Sequence, residues 1–160
     1  MKIFYLEMRS PLALQAKAFT DPAIRVLETA VAQPTFNKYL YRLVGRQWQW
    51  TDRLRWTDDE WRAYLADGRV RTWVAYHHGT PAGYFELQKQ DQDHIEIVYF
   101  GLAPDFIGRG LGGPLLSEAV RQAWAWQASR VWLHTCSLDH AHALANYQAR
   151  GFVLYRVEER

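Results

Sequence analysis

Ile107-Gly108-Arg109-Gly110-Leu111-Gly112-Gly113 places four glycines in six positions, between an apolar run ending near Leu102 and an amphipathic run that follows. Alternating glycines let the backbone curl so that successive N–H groups point inward. At a helix start, those amides and the positive end of the helix form a site for phosphate oxygens. Side chains at the same positions would obstruct the approach. No Gly-Lys-Ser/Thr follows, which excludes a Walker A loop. Gly108, Gly110 and Gly113 do satisfy the bare spacing G-x-G-x-x-G. A dinucleotide-binding sheet, however, turns directly from strand into glycines, whereas Ala103 to Ile107 intervene here, and too little chain follows for the rest of such a sheet.

Outward from the loop, His94 to Leu102 is a long apolar run and predicts a strand. Downstream, Leu111, Leu115, Leu116, Ala119, Val120, Ala123 and Trp124 fall on one face of a helix reaching about Gln127, with Pro114 tolerated in its first turn. Val131 to Thr135 reads as a buried strand, Asp139 to Gly151 as a helix, and Phe152 to Val157 as a last strand. Upstream, Arg71 to His77 and Ala82 to Gln88 predict strands joined by a turn at His78-Gly79-Thr80-Pro81. Thr57-Asp58-Asp59-Glu60 is a capping box for a helix carrying Trp61, Tyr64 and Leu65. Phe36 to Val44 predicts another helix. Asp21-Pro22 predicts a further one, with Ile24, Leu27, Ala30 and Val31 at helical spacing before Pro34. Lys2 to Arg9 alternates as a first strand.

The 160 residues suit a single domain able to bury a core. A formal charge of only +2 argues against a dedicated nucleic-acid binder. The single Cys136 excludes an internal disulfide and a multi-cysteine zinc site. It reads as a small buried residue rather than an acyl-carrying nucleophile. No apolar run approaches a membrane span, and the short, charged start is no signal sequence. The expectation is a cytoplasmic protein without membrane, nucleic-acid or metal partners. His140 and His142 are two apart and read as surface residues.

The segment from about Tyr84 to Tyr155 resembles the GNAT superfamily of acetyl-CoA-dependent N-acetyltransferases. The resemblance rests on Glu96-Ile97-Val98-Tyr99-Phe100-Gly101-Leu102-Ala103-Pro104, on Gly108 to Leu116, and on Asn146-Tyr147-Gln148-Ala149-Arg150-Gly151-Phe152. Two positions depart from the family pattern. Ile107 stands where Arg or Gln is usual, and Asp139 or His140 stands where Asn often opens the following helix. The resemblance implies an α/β fold with a mixed, mostly antiparallel twisted sheet, flanking helices, and a parallel pair that splays apart. That pair is the fourth and fifth predicted strands. It implies a single domain over 1–160, with 80–160 as the acetyl-CoA-binding core and 1–79 mainly on the acceptor side.

The function it implies is transfer of an acetyl group from acetyl-CoA to a primary amine of a small molecule or peptide, by direct attack. No metal is implied. A homodimer is an expectation because oligomers are common in the family. Leu102, Ala103, Ile107, Gly108, Arg109, Gly110, Leu111, Gly112, Gly113 and Tyr147 are the implied cofactor contacts. Arg109 is either a phosphate partner or a solvated loop residue. An oxyanion donor is implied at a strand N–H near Leu102 or Tyr99. Tyr147 is the candidate general acid and Glu96 the candidate base, with Glu86 and His134 as rivals. A silent acyl-CoA-binding sensor on the same fold is the alternative, since fold alone does not settle function. A dinucleotide-binding oxidoreductase is the remaining one.

Aromatic residues make up 15% of the chain, and residues 36–64 hold eight of them. Two readings compete. One is a well-packed helical layer. The other is an acceptor pocket walled by Trp48, Trp50 and Trp56, suited to an apolar or cationic amine.

Overall fold

A computed structural model describes residues 1–160. The strands are β1 (Lys2–Met8), β2 (Ile24–Glu28), β3 (Val70–His77), β4 (Thr80–Lys89), β5 (His94–Leu102), β6 (Arg130–Cys136) and β7 (Val153–Glu159). The helices are α1 (Pro34–Gly45), α2 (Asp58–Ala66), α3 (Gly112–Ala125) and α4 (Ala143–Ala149). The strands form one sheet in the order β2-β3-β4-β5-β6-β1-β7. Every neighbouring pair is antiparallel except β5 and β6, which run parallel as expected. β1 lies between β6 and β7, so the chain's first strand completes the sheet of its C-terminal half.

The main core lies between the sheet and α3. Leu115, Leu116, Ala119, Val120 and Ala123 are fully buried against Leu6, Phe85, Leu87, Ile95 and Leu133. Each buried Leu, Ile, Val or Phe among them contributes about 1.5–3 kcal/mol by leaving water, and each alanine less. A smaller cluster on the opposite face packs Leu40 and Val44 of α1 against Val74 and Tyr84, with Trp50 and Tyr99 at its margin. The capping box is present: Thr57 Oγ1 accepts from Glu60 N–H at 3.1 Å, and Glu60 Oε1 accepts from Thr57 N–H at 3.3 Å.

Two expectations are corrected. The helix expected after Asp21-Pro22 is strand β2, paired with β3 in the register Val26↔Ala75. Asp21 instead closes a turn, accepting from Ala23 N–H at 2.8 Å, and its other oxygen lies 3.0 Å from His77 Nε2. Leu27 and Val31, which fall at helical spacing in the sequence, are exposed, while Val26 packs on the core. Pairing along a sheet edge overrides a weak helical spacing in a run that contains β-branched residues. The second correction concerns Asp139, which does not open α4. Its Oδ2 accepts from Thr135 Oγ1 at 2.6 Å and Cys136 N–H at 3.0 Å, closing a turn after β6, so the helix starts only at Ala143. Short acidic side chains compete with helix formation in this way.

Gly151 ends α4 at a φ of +108°, and a Cβ there would lie 2.1 Å from the carbonyl oxygen of Ala13. The same turn anchors the N-terminal segment, since Gln15 N–H donates to Arg150 O at 2.9 Å. Gly151→Ala is therefore expected to cost more than about 2 kcal/mol, combining backbone strain with a backbone clash. A lowered urea midpoint would register it; an unchanged midpoint would mean the turn relaxes freely.

Candidate active site

The parallel pairing of β5 and β6 is short. It joins His94, Ile95 and Glu96 to Arg130, Val131 and Trp132, and then stops. Beyond Glu96, β5 continues to Leu102 bonded only to β4, while β6 continues to Cys136 bonded to β1. The two strands diverge and open a gap through the sheet. Ala103 N–H donates to Ala82 O at 2.8 Å. Antiparallel amides alternate sides, so the N–H groups of Leu102 and Phe100 turn toward the gap while that of Tyr99 turns toward β4. Of the two expected oxyanion donors, this orientation favours Leu102.

A cavity of about 960 Å³ occupies the gap and is lined from both faces of the sheet. On the α3 side its wall is the glycine loop together with Tyr147 and Asn146 of α4. Gly108 and Gly110 have φ values of +83° and +76°, the left-handed conformation that alternate glycines allow. No N–H from Gly108 to Gly113 donates to a protein acceptor, and no side chain caps the first turn of α3. A run of inward-curling, unbonded amides at a helix start fits the phosphates of a CoA pyrophosphate. Of the residues implied as cofactor contacts, Leu102, Ile107, Gly108, Gly110, Leu111 and Gly112 line the cavity. Three of the expected contacts do not. Ala103 is buried beneath the loop beside Ala82 and Phe106. The Arg109 guanidinium stacks over the Phe106 ring, 4.9 Å from its centroid. Gly113 packs against the ends of Lys17 and Arg150.

Tyr147 is buried on α4, with ring neighbours Phe100 and Phe152 at 6.1 and 6.3 Å. It lines the cavity, and its hydroxyl has no hydrogen-bond partner in the protein. Burial, and secondarily the charge of Asp139, pushes this phenol well above its ordinary value. Glu96 sits at the last paired position of β5, at the closed end of the gap. It is absent from the cavity wall, but its Oε2 lies 3.7 Å from Nε2 of His134, which is on the wall. A chain of donors orients the carboxylate. Trp132 Nε1 donates to Gln90 Oε1 at 3.0 Å, and Gln90 Nε2 donates to Glu96 Oε1 at 2.9 Å. Burial pushes the Glu96 carboxyl above its ordinary value, helped by the charge of Glu86. Loss of hydration pushes the His134 imidazole below its own, against the opposing charge of Asp139.

Glu86, the other rival base, is engaged elsewhere. Its carboxylate accepts two bonds from the Arg53 guanidinium, at 3.0 and 3.1 Å, and one from Tyr64 Oη at 2.6 Å. That guanidinium is enclosed by the rings of Trp56, Trp61, Tyr64 and Tyr99, at 4.3 to 5.3 Å from their centroids. Here the structure separates the three tryptophans expected in the acceptor pocket. Trp48 and Trp50 line the cavity, whereas Trp56 stacks on Arg53 behind it. Trp48 meets His140 with ring centroids 5.2 Å apart, and Trp50 Nε1 donates to Asp139 Oδ1 at 3.4 Å. The segment after α1 thus leans on the turn after β6 across the mouth of the gap.

Asp52, Asp139 and Asn146 were not foreseen as wall residues. Each had a sequence signal: Asp52 is a carboxylate set within the aromatic segment, Asp139 falls where the family often has Asn, and Asn146 belongs to the motif that carries the resemblance. Cys136 is on the wall and half-buried rather than fully buried. No helix is long and apolar enough to cross a membrane, and no group of three or more His, Cys, Asp or Glu is placed to hold a metal ion.

Solved structures with this fold include a GCN5-related N-acetyltransferase from Kribbella flavida, at 17% identity and a TM-score of 0.69, covering 96% of this chain and 55% of that one. An aminoglycoside acetyltransferase from an uncultured soil sample, in complex with trehalose, matches at 14% identity and 0.68, covering 81% and 88%. An IAA acetyltransferase from Bacillus cereus matches at 23% and 0.62, covering 82% and 79%. The chain spans only 55% to 61% of the length of three such neighbours. At these identities the likeness is one of fold. No protein of curated function matches the sequence. The acetyltransferase (GNAT) family model matches residues 37–152, which takes in the glycine loop, the splayed pair and Tyr147. The chain belongs to the GNAT acetyltransferase family.

Proposed function

We propose that the protein transfers an acetyl group from acetyl-CoA to a primary amine, both held at once in the cavity that passes through the sheet. The observation that carries this reading is the continuity of that cavity. It joins unbonded loop amides on the α3 face to an aromatic, carboxylate-bearing wall on the α1 face. Bound there, acetyl-CoA supplies the activated acyl group. The loop amides hold its pyrophosphate. The N–H groups of β5 that face the gap bond the pantetheine arm as a strand would, and Leu102 N–H donates to the thioester oxygen as charge develops on it. His134 takes the proton of the attacking amine, with Glu96 behind it as a positioning residue that favours the imidazolium. Tyr147 donates a hydrogen bond to the departing sulfur.

Release of free thiol from acetyl-CoA over an amine panel tests the reading. Thiol release that depends on amine, with no acetyl adduct on Cys136 in the protein mass spectrum, supports direct transfer. Acetyl-CoA binding without transfer to any amine would favour a silent acyl-CoA sensor.

The base assignment has a pH signature. Loss of hydration lowers the His134 imidazole from 6.5, so the acid limb of kcat/KM is expected below that value. Activity falls below that limb because the base must be unprotonated to accept. A carboxylate 3.7 Å away stabilises the imidazolium, so Glu96→Gln should move the limb to lower pH. It should also lower kcat/KM by about tenfold. An identical profile in the variant would remove the pair from the mechanism.

A further inference from the structure

Asp52 lies on the cavity wall, and no cation pairs with it. It is nonetheless held firmly. Tyr41 Oη donates to its Oδ1 at 2.8 Å, and Tyr99 Oη donates to its Oδ2. Tyr41 is itself fixed, because its hydroxyl also accepts from Arg53 N–H at 3.1 Å. The neighbouring Arg53 cannot neutralise Asp52, since its guanidinium is committed to Glu86. Trp50 closes the arrangement, with ring centroids 4.8 Å from Tyr99 and 5.8 Å from Tyr41. Its Nε1 donates to Asp139, a second wall carboxylate that accepts only neutral donors.

We propose that Asp52 is the anionic anchor for the acceptor, and that the acceptor is a primary ammonium ion carried on a flat apolar body, as in an arylalkylamine. This rests on the acetyl-transfer reading for the reaction but not for the binding. The carboxylate supplies the complementary charge, and the π faces of Trp48, Trp50 and Tyr99 accept both a cation and an apolar plane. An acidic amine would meet the carboxylates of Asp52 and Asp139 beside the indole faces, where the one guanidinium, Arg53, is committed to Glu86. A polyhydroxylated amine would leave hydroxyls unpaired against indole faces, at the cost of their hydration. Two phenols holding the carboxylate in place spare the ordering cost that a mobile surface aspartate would incur on binding.

Calorimetric titration of the whole protein with 2-phenylethylammonium, 2-phenylethanol and propylammonium tests this, in the presence of CoA and again without it. Phenylethylammonium is expected to bind at least about tenfold tighter than the alcohol, which lacks the charge, or propylammonium, which lacks the plane. Asp52→Asn keeps an acceptor for one tyrosine and should bring phenylethylammonium to the affinity of the alcohol, leaving the alcohol unchanged. Equal binding of the amine and the alcohol by the wild-type protein would overturn the proposal, whether or not the variant folds. So would a preference that Asp52→Asn leaves intact, or no binding of the amine in either condition. Selectivity for the ammonium ion with no binding of CoA would uphold the anchor and reject the acetyl-transfer reading.

Discussion

Tyr147→Phe is expected to lower kcat about ten- to a hundredfold while acetyl-CoA binds with unchanged affinity. The change removes one oxygen and keeps the ring between Phe100 and Phe152, so packing is preserved. The hydroxyl bonds to nothing in the protein, so its loss leaves no partner orphaned. Any effect must then come from what the hydroxyl meets in the cavity. Burial raises the phenol above its ordinary value, which keeps it protonated at neutral pH and makes full proton transfer to a thiolate uphill. The role that fits is a hydrogen bond to the sulfur as it gains charge, realised in the transition state and weak in the ground state. Such an interaction affects kcat and leaves binding alone. Equal turnover in the variant would place Tyr147 in the core only.

The largest effect on stability is expected from Glu86→Gln, a loss of about 3–5 kcal/mol. The Arg53 and Glu86 side chains are 7% and 1% exposed, and the guanidinium is enclosed by aromatic rings. Removing the carboxylate charge leaves a largely buried cation without its bidentate counter-ion. Trp56, Trp61 and Tyr64, none of them on the cavity wall, shield it from water on their side. The double variant Arg53→Met with Glu86→Leu should recover most of the loss, because the cost lies in the unpaired charge rather than in losing the pair. If the double variant is as unstable as Glu86→Gln, polar specificity rather than desolvation holds the cluster. Chemical denaturation of the single and double variants separates the two. The cluster also supports the segment carrying Trp50 and Asp52, so the acceptor side should loosen with it.

How much was legible beforehand follows the range of the signals. The strand to Leu102, the glycine loop, the apolar face of α3 and the capping box at Thr57 each depend on neighbours a few residues apart. Their chemistry could be read directly from the chain. The parallel pair came from the family resemblance, and the short register ending at Glu96 and Trp132 gives it physical form. Strand β2 was missed because its partner, β3, lies about fifty residues on and decides its conformation. The Arg53–Glu86 pair joins residues 33 apart, and the Trp50–Asp139 contact joins residues 89 apart. No local pattern in the sequence encodes either. Trp56 was grouped with Trp48 and Trp50 because all three share one segment, yet the turn before α2 points it at Arg53 instead. Glu96 was recognisable as a costly charge in an apolar strand, but its place behind His134 depends on where β6 stops pairing with β5.

Calorimetric titration with acetyl-CoA tests the central claim most directly, because the site depends on amides that only the folded loop presents. One equivalent should bind to the wild-type protein. Gly110→Val, which forces a β-branched side chain onto a φ of +76°, should weaken that binding by at least about tenfold. Absence of binding to the wild-type protein, or equal affinity in the loop variant, would contradict the assignment of the cavity to acetyl-CoA.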